Sequence, residues 1–371
     1  MGAREKDQAR LEGIQRMSAM TDEAHTGTSG VRADYRLNVA ALAQWMQEHV
    51  VGFRGPLQIE QFKGGQSNPT YKLNTPQLSY VLRRKPPGVL LRGAHDVERE
   101  ARVLRALAKA AFPVPHVYAV CADTSIIGSP FFVMQMMEGR IFWDASFPQV
   151  NREERPAYFG AMNHTLAQLH GIDYNALGLG DFGKPGNYFA RQIARWARQY
   201  LEDREAGRDE FMDKVLEWLP AHIPDDVQSS LIHGDFRCDN MVFHPTEPRI
   251  LAVLDWELST LGNPLADFAY HALMYRTPPQ IVAGLLGVDL KTMNIPTESQ
   301  YIAAYCANTG RPSIPAYDFY VAFNFFRLAA IFHGIKGRVL RGTATSAHAR
   351  VRAENFPVLS RLAWENVEAC R

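Results

Sequence analysis

The stretch from Leu231 to Asp267 constrains the fold of this chain more than any other, because polar side chains flank two short apolar runs there. The runs, Met241 to Phe243 and Ile250 to Leu254, are mostly aliphatic, and a segment with two prolines separates them. This pattern predicts two strands of a β-hairpin joined by a turn. The polar residues around the strands are His233, Asp235, Asp239, Asn240, Asp255 and Asp267.

One end of the predicted hairpin carries an amide and a carboxylate. Asn240 precedes the first strand and Asp255 follows the second, so the turn brings these residues to the same end. Their oxygens suit a hard cation such as Mg²⁺, which keeps several waters. Asp235 lies five positions before Asn240, close enough along the loop to accept a proton from a hydroxyl near that metal. Each residue alone could be a turn or cap residue, but their order and spacing favour metal binding and proton transfer.

The N-terminal part of the chain predicts a tail, a helix and then a small antiparallel sheet with one amphipathic helix. Residues 1–35 are polar and charged, which predicts a flexible tail. Apolar residues recur at helical spacing in Leu37–Val51 and in Val97–Ala108. The predicted strands are Leu57–Phe62, Thr70–Leu73, Ser79–Arg84, His116–Val120 and Phe131–Met137.

After Gly139 the pattern predicts helices, interrupted by the hairpin. The predicted helices are Tyr158–His170, Tyr188–Ala206, Phe211–Leu219, Pro264–Tyr275, Glu298–Thr309, Ala316–Leu340 and Ala347–Cys370. The chain therefore predicts an α+β fold, with residues 36–137 as a small lobe and residues 138–371 as a large, mainly helical lobe.

A glycine-rich segment, Gly178–Lys184, has the spacing of both a dinucleotide-binding motif and a P-loop. Pro185 stands where a P-loop needs Ser or Thr for Mg²⁺, and no apolar strand precedes the glycines. We interpret this segment as a connection without a role in nucleotide binding.

The charge balance gives no general argument for nucleic acid or an anionic membrane as partner, because 40 Lys and Arg oppose 39 Asp and Glu. The four cysteines lie far apart without C-x-x-C spacing, which argues against a zinc site and a disulfide framework. No apolar run reaches the roughly 18 residues of a membrane helix, and the charged N-terminus is unlike a signal peptide. We therefore expect a cytoplasmic protein, and the sequence does not predict its oligomeric state.

The motif HGDFRCDN at 233–240, followed by LDWE at 254–257, resembles the signature of the aminoglycoside phosphotransferase-like family, which is related to the protein kinases. The resemblance includes GGQSNPTY at 64–71, YVLRRKPPG at 80–88 and GNPLADFAYH at 262–271, and covers nearly all of the chain after the tail. These strings are most similar to the kinase-like domain fused to some acyl-CoA dehydrogenases, and we expect that domain to stand alone here. The resemblance implies a bilobal protein-kinase-like fold with ATP in the cleft between the lobes.

The resemblance also implies a role for each motif position. Asp235 resembles the catalytic base, and Asn240 and Asp255 resemble the Mg²⁺ ligands, in agreement with the hairpin geometry. His233 and Asp267 resemble residues that brace the catalytic loop. The implied ATP contacts are Gly64, Gly65, Gln66, Ser67 and Asn68 in the turn over the phosphates, and Gln135 to Met137 in the hinge that holds adenine.

One departure from the family concerns the strand lysine that normally steadies the α and β phosphates. When YVLR is aligned with the kinase V-A-I-K motif, Arg83 takes its place, and we expect it to pair with Glu100 on the following helix. Arg84 and Lys85 are neighbouring candidates for the same role. Arg237 stands in the place of the kinase catalytic-loop cation, and we expect it to stabilise the charge of the transferred phosphate.

We predict a small-molecule acceptor with a hydroxyl group and a negative charge. The segment from Tyr301 to Arg371 contains nine Lys and Arg against four Asp and Glu, whereas a polycationic aminoglycoside needs an acidic pocket. Arg327, Arg338 and Arg341, on or beside one predicted helix, could bind the carboxylate or phosphates of a hydroxy acid or a hydroxyacyl-CoA. A solvated helix face would show the same cations, so an aminoglycoside or amino-alcohol kinase is an alternative.

Two alternatives come from other functional classes. A pseudokinase would bind nucleotide without transferring phosphate, and the replacement of the strand lysine by Arg83 leaves this open. A metal-dependent hydrolase could use His233, Asp235, Asp255 and His271 without ATP, but it would leave the GGQSN turn unexplained. The kinase hypothesis accounts for both motifs.

Overall fold

The computed structural model of the chain describes residues 27–63, 68–86, 96–225, 228–344 and 349–370. The chain divides into two compact units. The first unit comprises residues up to Gln149 together with Cys238–Glu257, and the second comprises Val150–Arg237 and Leu258–Arg371. Within the described ranges, no helix has the length and apolar character needed to cross a bilayer.

A six-stranded antiparallel sheet forms the centre of the first unit. Its strands follow the spatial order β1-β2-β3-β4-β6-β5. Side chains alternate between the two faces of each strand, so Leu73, Tyr80 and Leu82 point into one apolar core. The strands are β1 (Thr28–Ser29), β2 (Gln58–Phe62), β3 (Thr70–Asn74), β4 (Ser79–Arg84), β5 (Val117–Cys121) and β6 (Phe131–Gln135).

Three helices accompany this sheet: α1 (Val39–His49), α2 (Val97–Lys109) and α3 (Thr124–Ile127). The α1 helix packs Trp45 and Met46 into the core that the sheet forms. Asp96 precedes the α2 helix, and its side chain accepts a hydrogen bond from the backbone N–H of Arg99 at 3.0 Å and so caps the helix. The predicted amphipathic helix is therefore present, and its buried face includes one charged residue, Glu100.

The predicted hairpin is present as β8 (Met241–Phe243) and β9 (Ile250–Val253), and it belongs to the first unit. Arg140 and Phe243 exchange two backbone hydrogen bonds of 2.8 Å, and the N–H of Val253 donates to the carbonyl of Pro113. Gly139 lies so close to Phe243 that a Cβ there would overlap the Phe243 carbonyl. These contacts explain why the hairpin groups with the sheet, whereas we had expected it in the larger lobe of residues 138–371.

The second unit is mainly helical, with one small antiparallel sheet of β7 (Ser230–Ile232) and β10 (Thr260–Gly262). Its helices are α4 (Arg155–His170), α5 (Tyr188–Glu202), α6 (Glu210–Trp218), α7 (Pro264–Ala272), α8 (Pro279–Val282), α9 (Leu290–Met293), α10 (Glu298–Thr309), α11 (Tyr317–Leu340) and α12 (Ala349–Glu368). The long helix α11 is the centre of this unit and packs against α12, α7 and α5.

Aromatic contacts fix these helices around α11. Phe189 of α5 packs edge-on against Phe319 and Phe323 of α11, with centroids 5.3 and 5.1 Å apart. Phe268 of α7 stacks on Tyr305 of α10 with a centroid distance of 4.0 Å. The aromatic residues of α11 therefore belong to the core, and the predicted α+β architecture is confirmed.

The glycine-rich segment Gly178–Lys184 connects α4 to α5. Gly178 adopts a positive φ of 71°, and no strand of the described chain lies between α4 and this segment. The segment is therefore a connection between two helices, as we interpreted it from the sequence.

Candidate active site

The end of the β8–β9 hairpin brings Asn240 and Asp255 to neighbouring positions. Met241 pairs with Val253, and the N–H of Leu254 donates to the carbonyl of Asn240 at 2.8 Å. Asp255 is the next residue and has a left-handed backbone with φ of 64°, which Asp tolerates better than most residues. The geometry predicted for these two residues is therefore present, whereas metal binding by them stays a prediction.

Arg83 on β4 connects this end of the hairpin to α2. Its Nε lies 2.9 Å from Glu100, its Nη2 lies 2.5 Å from Asp255, and Glu257 lies 3.7 Å away. The Arg83 and Glu100 side chains are 8% and 2% exposed, so the ion pair is buried. The expected pairing of Arg83 with Glu100 is confirmed, and the alternation of β4 directs the neighbouring Arg84 to the other face.

Several charges crowd around the Arg83 guanidinium and shift pKa values. Burial alone would lower the pKa of Arg83, but the carboxylates of Asp255, Glu100 and Glu257 outweigh burial and raise it. Burial, with repulsion from Asp255 and Glu257, raises the pKa of Glu100 to about 8 although Arg83 opposes the change. Three carboxylates around one guanidinium would be stabilised by a further cation beside Asp255.

Of the five residues predicted to cover the phosphates, the structure describes Asn68. Gly64, Gly65, Gln66 and Ser67 lie outside the described residues. Asn68 is buried, and its Nδ2 donates to Oε2 of Glu257 at 3.3 Å. The Asn68 side chain therefore contacts the acidic residue that follows Trp256, and its contact with ATP stays a prediction.

The predicted hinge follows the last strand of the sheet. The backbone N–H of Gln135 donates to the carbonyl of His116 at 2.8 Å, within the sheet. Met137 lies two residues beyond the strand, is half-buried, and forms no hydrogen bond with any residue that the structure describes. The backbone of Met137 is therefore the better candidate of the two for an adenine contact.

In the second unit, Asp267 of α7 holds the loop that carries Asp235. Its two carboxylate oxygens accept the backbone N–H groups of His233 and Gly234, each at 2.8 Å. His170 contributes a third contact through Nε2 at 3.2 Å. Burial alone would raise the pKa of Asp267, but the hydrogen bond and charge of His170, with the groups of His233, hold it below its usual value. The expected bracing contact is therefore present.

The braced loop turns at Gly234, which adopts a left-handed φ of 82°. A Cβ at this position would lie 2.8 Å from the carbonyl oxygen of Leu258. A glycine is therefore required here by both the backbone conformation and the packing.

Asp235 itself is held by a phenol and approached by an arginine. The Tyr270 hydroxyl donates to Oδ1 of Asp235 at 2.6 Å, and Nε of Arg237 lies 3.4 Å from the same oxygen. The Asp235 side chain is 23% exposed, so it is ordered without being sealed from solvent. Tyr270 was not predicted from the sequence, although it lies one helical turn after Asp267 in the GNPLADFAYH motif.

Two of the three arginines predicted to bind the acceptor have partners within the chain instead. Arg327 is buried, and its Nη2 donates to the carbonyl of Gly234 at 2.7 Å. Arg341 forms a double hydrogen bond with the carboxylate of Asp203, at 2.7 and 2.9 Å. Burial and the charge of Arg341 lower the pKa of Arg338. Arg327 and Arg341 therefore stabilise the fold through contacts within the chain.

The α5 helix presents a further arginine, Arg195, that was not predicted from the sequence because it lies far before the basic segment that begins at Tyr301. Tyr188 near the start of α5 contacts Phe323, and Gln199 near its end donates to the carbonyl of Ala330. These two contacts place Arg195, midway along α5, at the level of Arg327 on α11. Burial and the charge of Arg327 lower the pKa of Arg195, which forms no ion pair with the described residues.

His271, a candidate metal ligand of the hydrolase alternative, is a core residue. Its Nδ1 lies 2.9 Å from the carbonyl of Phe236 and its Nε2 lies 2.7 Å from the hydroxyl of Tyr301. Burial lowers its pKa to about 4, so the ring is neutral at pH 7. Both ring nitrogens are engaged, which leaves the hydrolase alternative without this ligand.

The first comparison is with a curated relative that is much longer than this chain. Over 313 residues the chain is 44% identical to acyl-CoA dehydrogenase family member 10 from Mus musculus. The match covers 84% of this chain and 29% of that protein. The chain therefore spans less than a third of the length of this relative.

Two solved structures show the fold. A candidate aminoglycoside phosphotransferase from Ralstonia eutropha JMP134 is 46% identical with a TM-score of 0.82, covering 90% of this chain and 99% of that chain. Aminoglycoside phosphotransferase APH(4)-Ia, crystallised with ADP and hygromycin B, is 15% identical with a TM-score of 0.58, covering 87% and 97%. At that identity the second likeness shows the fold alone. The bilobal kinase-like fold predicted from the sequence is confirmed.

A family model identifies the chain more directly. The model described as Phosphotransferase enzyme family, APH, matches residues 58–320. The match includes the β-hairpin with Asn240 and Asp255, the loop with Asp235 and the bracing residue Asp267. The chain therefore belongs to the APH phosphotransferase enzyme family and is a small-molecule kinase.

Proposed function

We propose that this enzyme transfers the γ-phosphate of ATP to the hydroxyl group of a small anionic molecule. The observation that supports this most is the end of the β8–β9 hairpin, where Asn240 and Asp255 lie together and Arg83 pairs with Asp255. Phosphoryl transfer needs positioned groups and charge stabilisation more than covalent chemistry from the protein. A hairpin end with two oxygen donors and an arginine meets that need.

Asn240 and Asp255 are the residues that would hold Mg²⁺. Mg²⁺ is usually bound by one or two protein side chains, with phosphate oxygens and water as further ligands. Among the described residues, no group of three or more His, Cys, Asp or Glu side chains could hold a metal ion, so this proposal depends on ATP as a partner in the site. When bound, Mg²⁺ would neutralise the phosphate charge that develops during transfer.

The chain's own residues supply the remaining roles. In the proposed reaction Asp235 accepts the proton of the acceptor hydroxyl, whose oxygen then forms a bond to the γ-phosphorus while the bond to the β-phosphate breaks and ADP leaves. Arg237 stabilises the charge of the transferred group, and Arg83, held by Glu100, contacts the phosphates. Met137 offers its backbone to adenine. The other ATP contacts that we propose are those expected from the sequence, namely Gly64, Gly65, Gln66, Ser67, Asn68 and Gln135.

We propose an anionic hydroxy compound, such as a hydroxyacyl-CoA or a hydroxy acid, as the acceptor. Arg195 is only partly buried and has no acidic partner among the described residues, so a carboxylate or phosphate of the acceptor could pair with it. The name of the Mus musculus relative refers to acyl-CoA chemistry, which supports an acyl-CoA-like acceptor. A polycationic aminoglycoside would be repelled at the same position.

Asp235→Asn tests the proposed base. An amide cannot take up the proton, so we expect phosphate transfer to fall by at least about a hundredfold while ATP binding, measured by calorimetry, stays within about twofold. Asp213→Asn is a matched control, because Asp213 also accepts a tyrosine hydroxyl, that of Tyr200 at 2.7 Å, and pairs with an arginine, Arg208. Retained turnover in Asp235→Asn would show that Asp235 is not the base.

Release of ADP from Mg·ATP across a panel of acceptors tests the acceptor class. The panel contains hydroxyacyl-CoAs, hydroxy acids, amino alcohols and aminoglycosides, and we expect the highest kcat/KM for one of the first two groups. A higher kcat/KM for kanamycin-like amines would contradict the proposal. ATP-dependent thermal stabilisation without ADP release for any acceptor would favour the pseudokinase alternative.

A further inference from the structure

We propose that Tyr270 is a positioning residue for Asp235, and that Arg327 in turn holds Tyr270 in place. This inference rests on the proposed function, in which Asp235 is the catalytic base. It assigns the buried arginine of α11 to the catalytic loop, where the sequence had suggested a contact with the acceptor.

The first contact joins the phenol to the base. The Tyr270 hydroxyl donates to Oδ1 of Asp235 at 2.6 Å, a short distance that is typical of a hydroxyl bound to a carboxylate. Tyr270 is 8% exposed, and burial together with the charge of Asp235 raises its pKa well above its usual value. The phenol therefore stays protonated and donates its hydrogen bond at any pH at which a kinase works.

The second contact fixes the phenol itself. The guanidinium carbon of Arg327 lies 5.0 Å from the centroid of the Tyr270 ring, within the range of a cation–π interaction. Nη2 of the same side chain donates to the carbonyl of Gly234 at 2.7 Å, and Gly234 immediately precedes Asp235. One arginine thus holds both the ring that binds the base and the backbone that carries it.

The two contacts connect three elements of the second unit. Arg327 belongs to α11, Tyr270 belongs to α7, and Asp235 lies in the loop after β7. The backbone brace from Asp267 fixes where the loop runs, but it does not fix the torsion angles of the Asp235 side chain. The Tyr270 hydroxyl fixes them, because its hydrogen bond selects one position for Oδ1.

A merely structural role for Tyr270 makes a different prediction from a positioning role. Both roles predict some loss of stability when the hydroxyl is removed, because a buried carboxylate contact is lost. Only the positioning role predicts that kcat falls while KM for ATP stays unchanged, because the base is misplaced but the nucleotide contacts are not altered.

Tyr270→Phe, which keeps the ring under Arg327 and removes only the hydroxyl, tests this inference. The assay measures ADP formed from Mg·ATP with 3-hydroxybutyryl-CoA and, separately, with water as acceptor. We expect kcat to fall about tenfold to a hundredfold, with KM for ATP within about twofold. Tyr200→Phe is the matched control, because it also removes a buried phenol that binds a carboxylate, and it should lower only the melting temperature.

Arg327→Lys tests the second half of the inference. Lysine keeps the charge but loses the planar group that contacts the ring and the Gly234 carbonyl together. We expect a smaller fall in kcat, of about threefold to tenfold, that disappears when Tyr270→Phe is already present, because both changes act through one contact. Independent, multiplicative effects of the two changes would refute Arg327 as the support of Tyr270.

The outcomes separate this inference from the proposed function. If Asp235→Asn is inactive and Tyr270→Phe has full kcat, the inference is wrong and the proposed base stands. If Asp235→Asn retains turnover, the proposed base is wrong and the inference fails with it. If no acceptor of the panel yields ADP, the proposed function fails as well. A fall in kcat for Tyr270→Phe but not for Tyr200→Phe supports the inference.

Discussion

At the scale of single residues, two aspartates of the second unit have nearly the same partners. Asp235 accepts the hydroxyl of Tyr270 and lies near Arg237, and Asp213 accepts the hydroxyl of Tyr200 and pairs with Arg208. Asp213 lies in an ordinary helix, α6, whereas Asp235 follows a glycine that no other residue could replace. The two aspartates therefore have similar surroundings, and the backbone of the loop distinguishes Asp235, which we propose as the base, from Asp213.

His271 makes a prediction about pH. Its folded pKa is lowered to about 4, below the ordinary value of about 6.5. Between these values the unfolded chain binds a proton that the folded chain does not, so the free energy of unfolding falls as pH falls from about 6.5 to about 4. The loss amounts to about 3 kcal/mol over the whole range, and all of this contribution is retained above pH 6.5.

Chemical denaturation of His271→Gln at pH 7.5 and pH 5 tests this expectation. Glutamine can donate to Phe236 and accept from Tyr301 without titrating, so the variant should lose less stability on acidification than the wild type. His164→Gln, a change on the exposed side of α4, is the control. Equal loss of pH sensitivity in both variants would contradict the role given to His271.

At the scale of secondary-structure elements, the side of a helix on which a charge lies decides its use. Arg327 lies on the side of α11 that meets α7 and is buried, whereas Arg341 lies at the end of the helix and pairs with Asp203. On α5, Phe189 packs against Phe323 in the core, and Arg195 lies close enough to Arg327 for the charge of Arg327 to lower its pKa. Arg195 is therefore the arginine that we propose for the acceptor, whereas Arg327 and Arg341 have partners within the chain.

Arg195→Glu tests the contribution of α5 to acceptor binding. Reversal of this charge should raise KM for a hydroxyacyl-CoA about tenfold or more, because an anion then meets a like charge, and KM for ATP should stay unchanged. Arg198→Glu is a charge-matched control on the same helix, where the side chain is exposed. An equal rise in KM for both variants would indicate a general effect of net charge instead of a specific contact.

At the scale of the whole molecule, a ligand that binds only the folded protein raises its stability. We expect Mg·ATP at about 100 times its Kd to stabilise the protein by about 2.7 kcal/mol, visible as a higher melting temperature. Asp255→Asn should lose the part of this stabilisation that depends on Mg²⁺, because an amide is a weaker metal ligand than a carboxylate. ATP with EDTA is the control, and a wild-type response to Mg·ATP in the variant would contradict Asp255 as a ligand.

Local patterns were sufficient to predict most of the elements of this fold. The strand Ser79–Arg84, the hairpin strand Met241–Phe243 and the helix Glu298–Thr309 have the predicted bounds. The two-residue strand Thr28–Ser29 and the short pair Ser230–Ile232 with Thr260–Gly262 were not predicted, because so few residues show no period. Such strands form only when a distant partner supplies the hydrogen bonds.

The contacts of the candidate site also divide into those that the sequence predicts and those that it does not. The proximity of residues that are close in sequence, such as Asp235 and Arg237, could be predicted from spacing alone. The same holds for Asn240 and Asp255, because a single hairpin joins them. Tyr270 could not, because it reaches Asp235 across 35 positions of sequence and its apolar neighbours on α7 make it look like core. The partners of Arg327 and Arg341 within the chain could not be predicted either, because composition gives the number of charges but not their direction. Contact of these arginines with an acceptor stays a prediction.

The sequence by itself determined the α+β architecture and the hairpin that joins Asn240 to Asp255, because these depend on short-range periodicity. It indicated the class of chemistry through the resemblance of its motifs to those of a known family. Only the tertiary structure decided that the hairpin packs with the sheet of the first unit, that Arg83 is the arginine that reaches Glu100 and Asp255, and that Tyr270 binds Asp235. Those contacts join residues far apart in the chain, and their energies come from burial and hydrogen bonding that exist only once the helices and strands have packed.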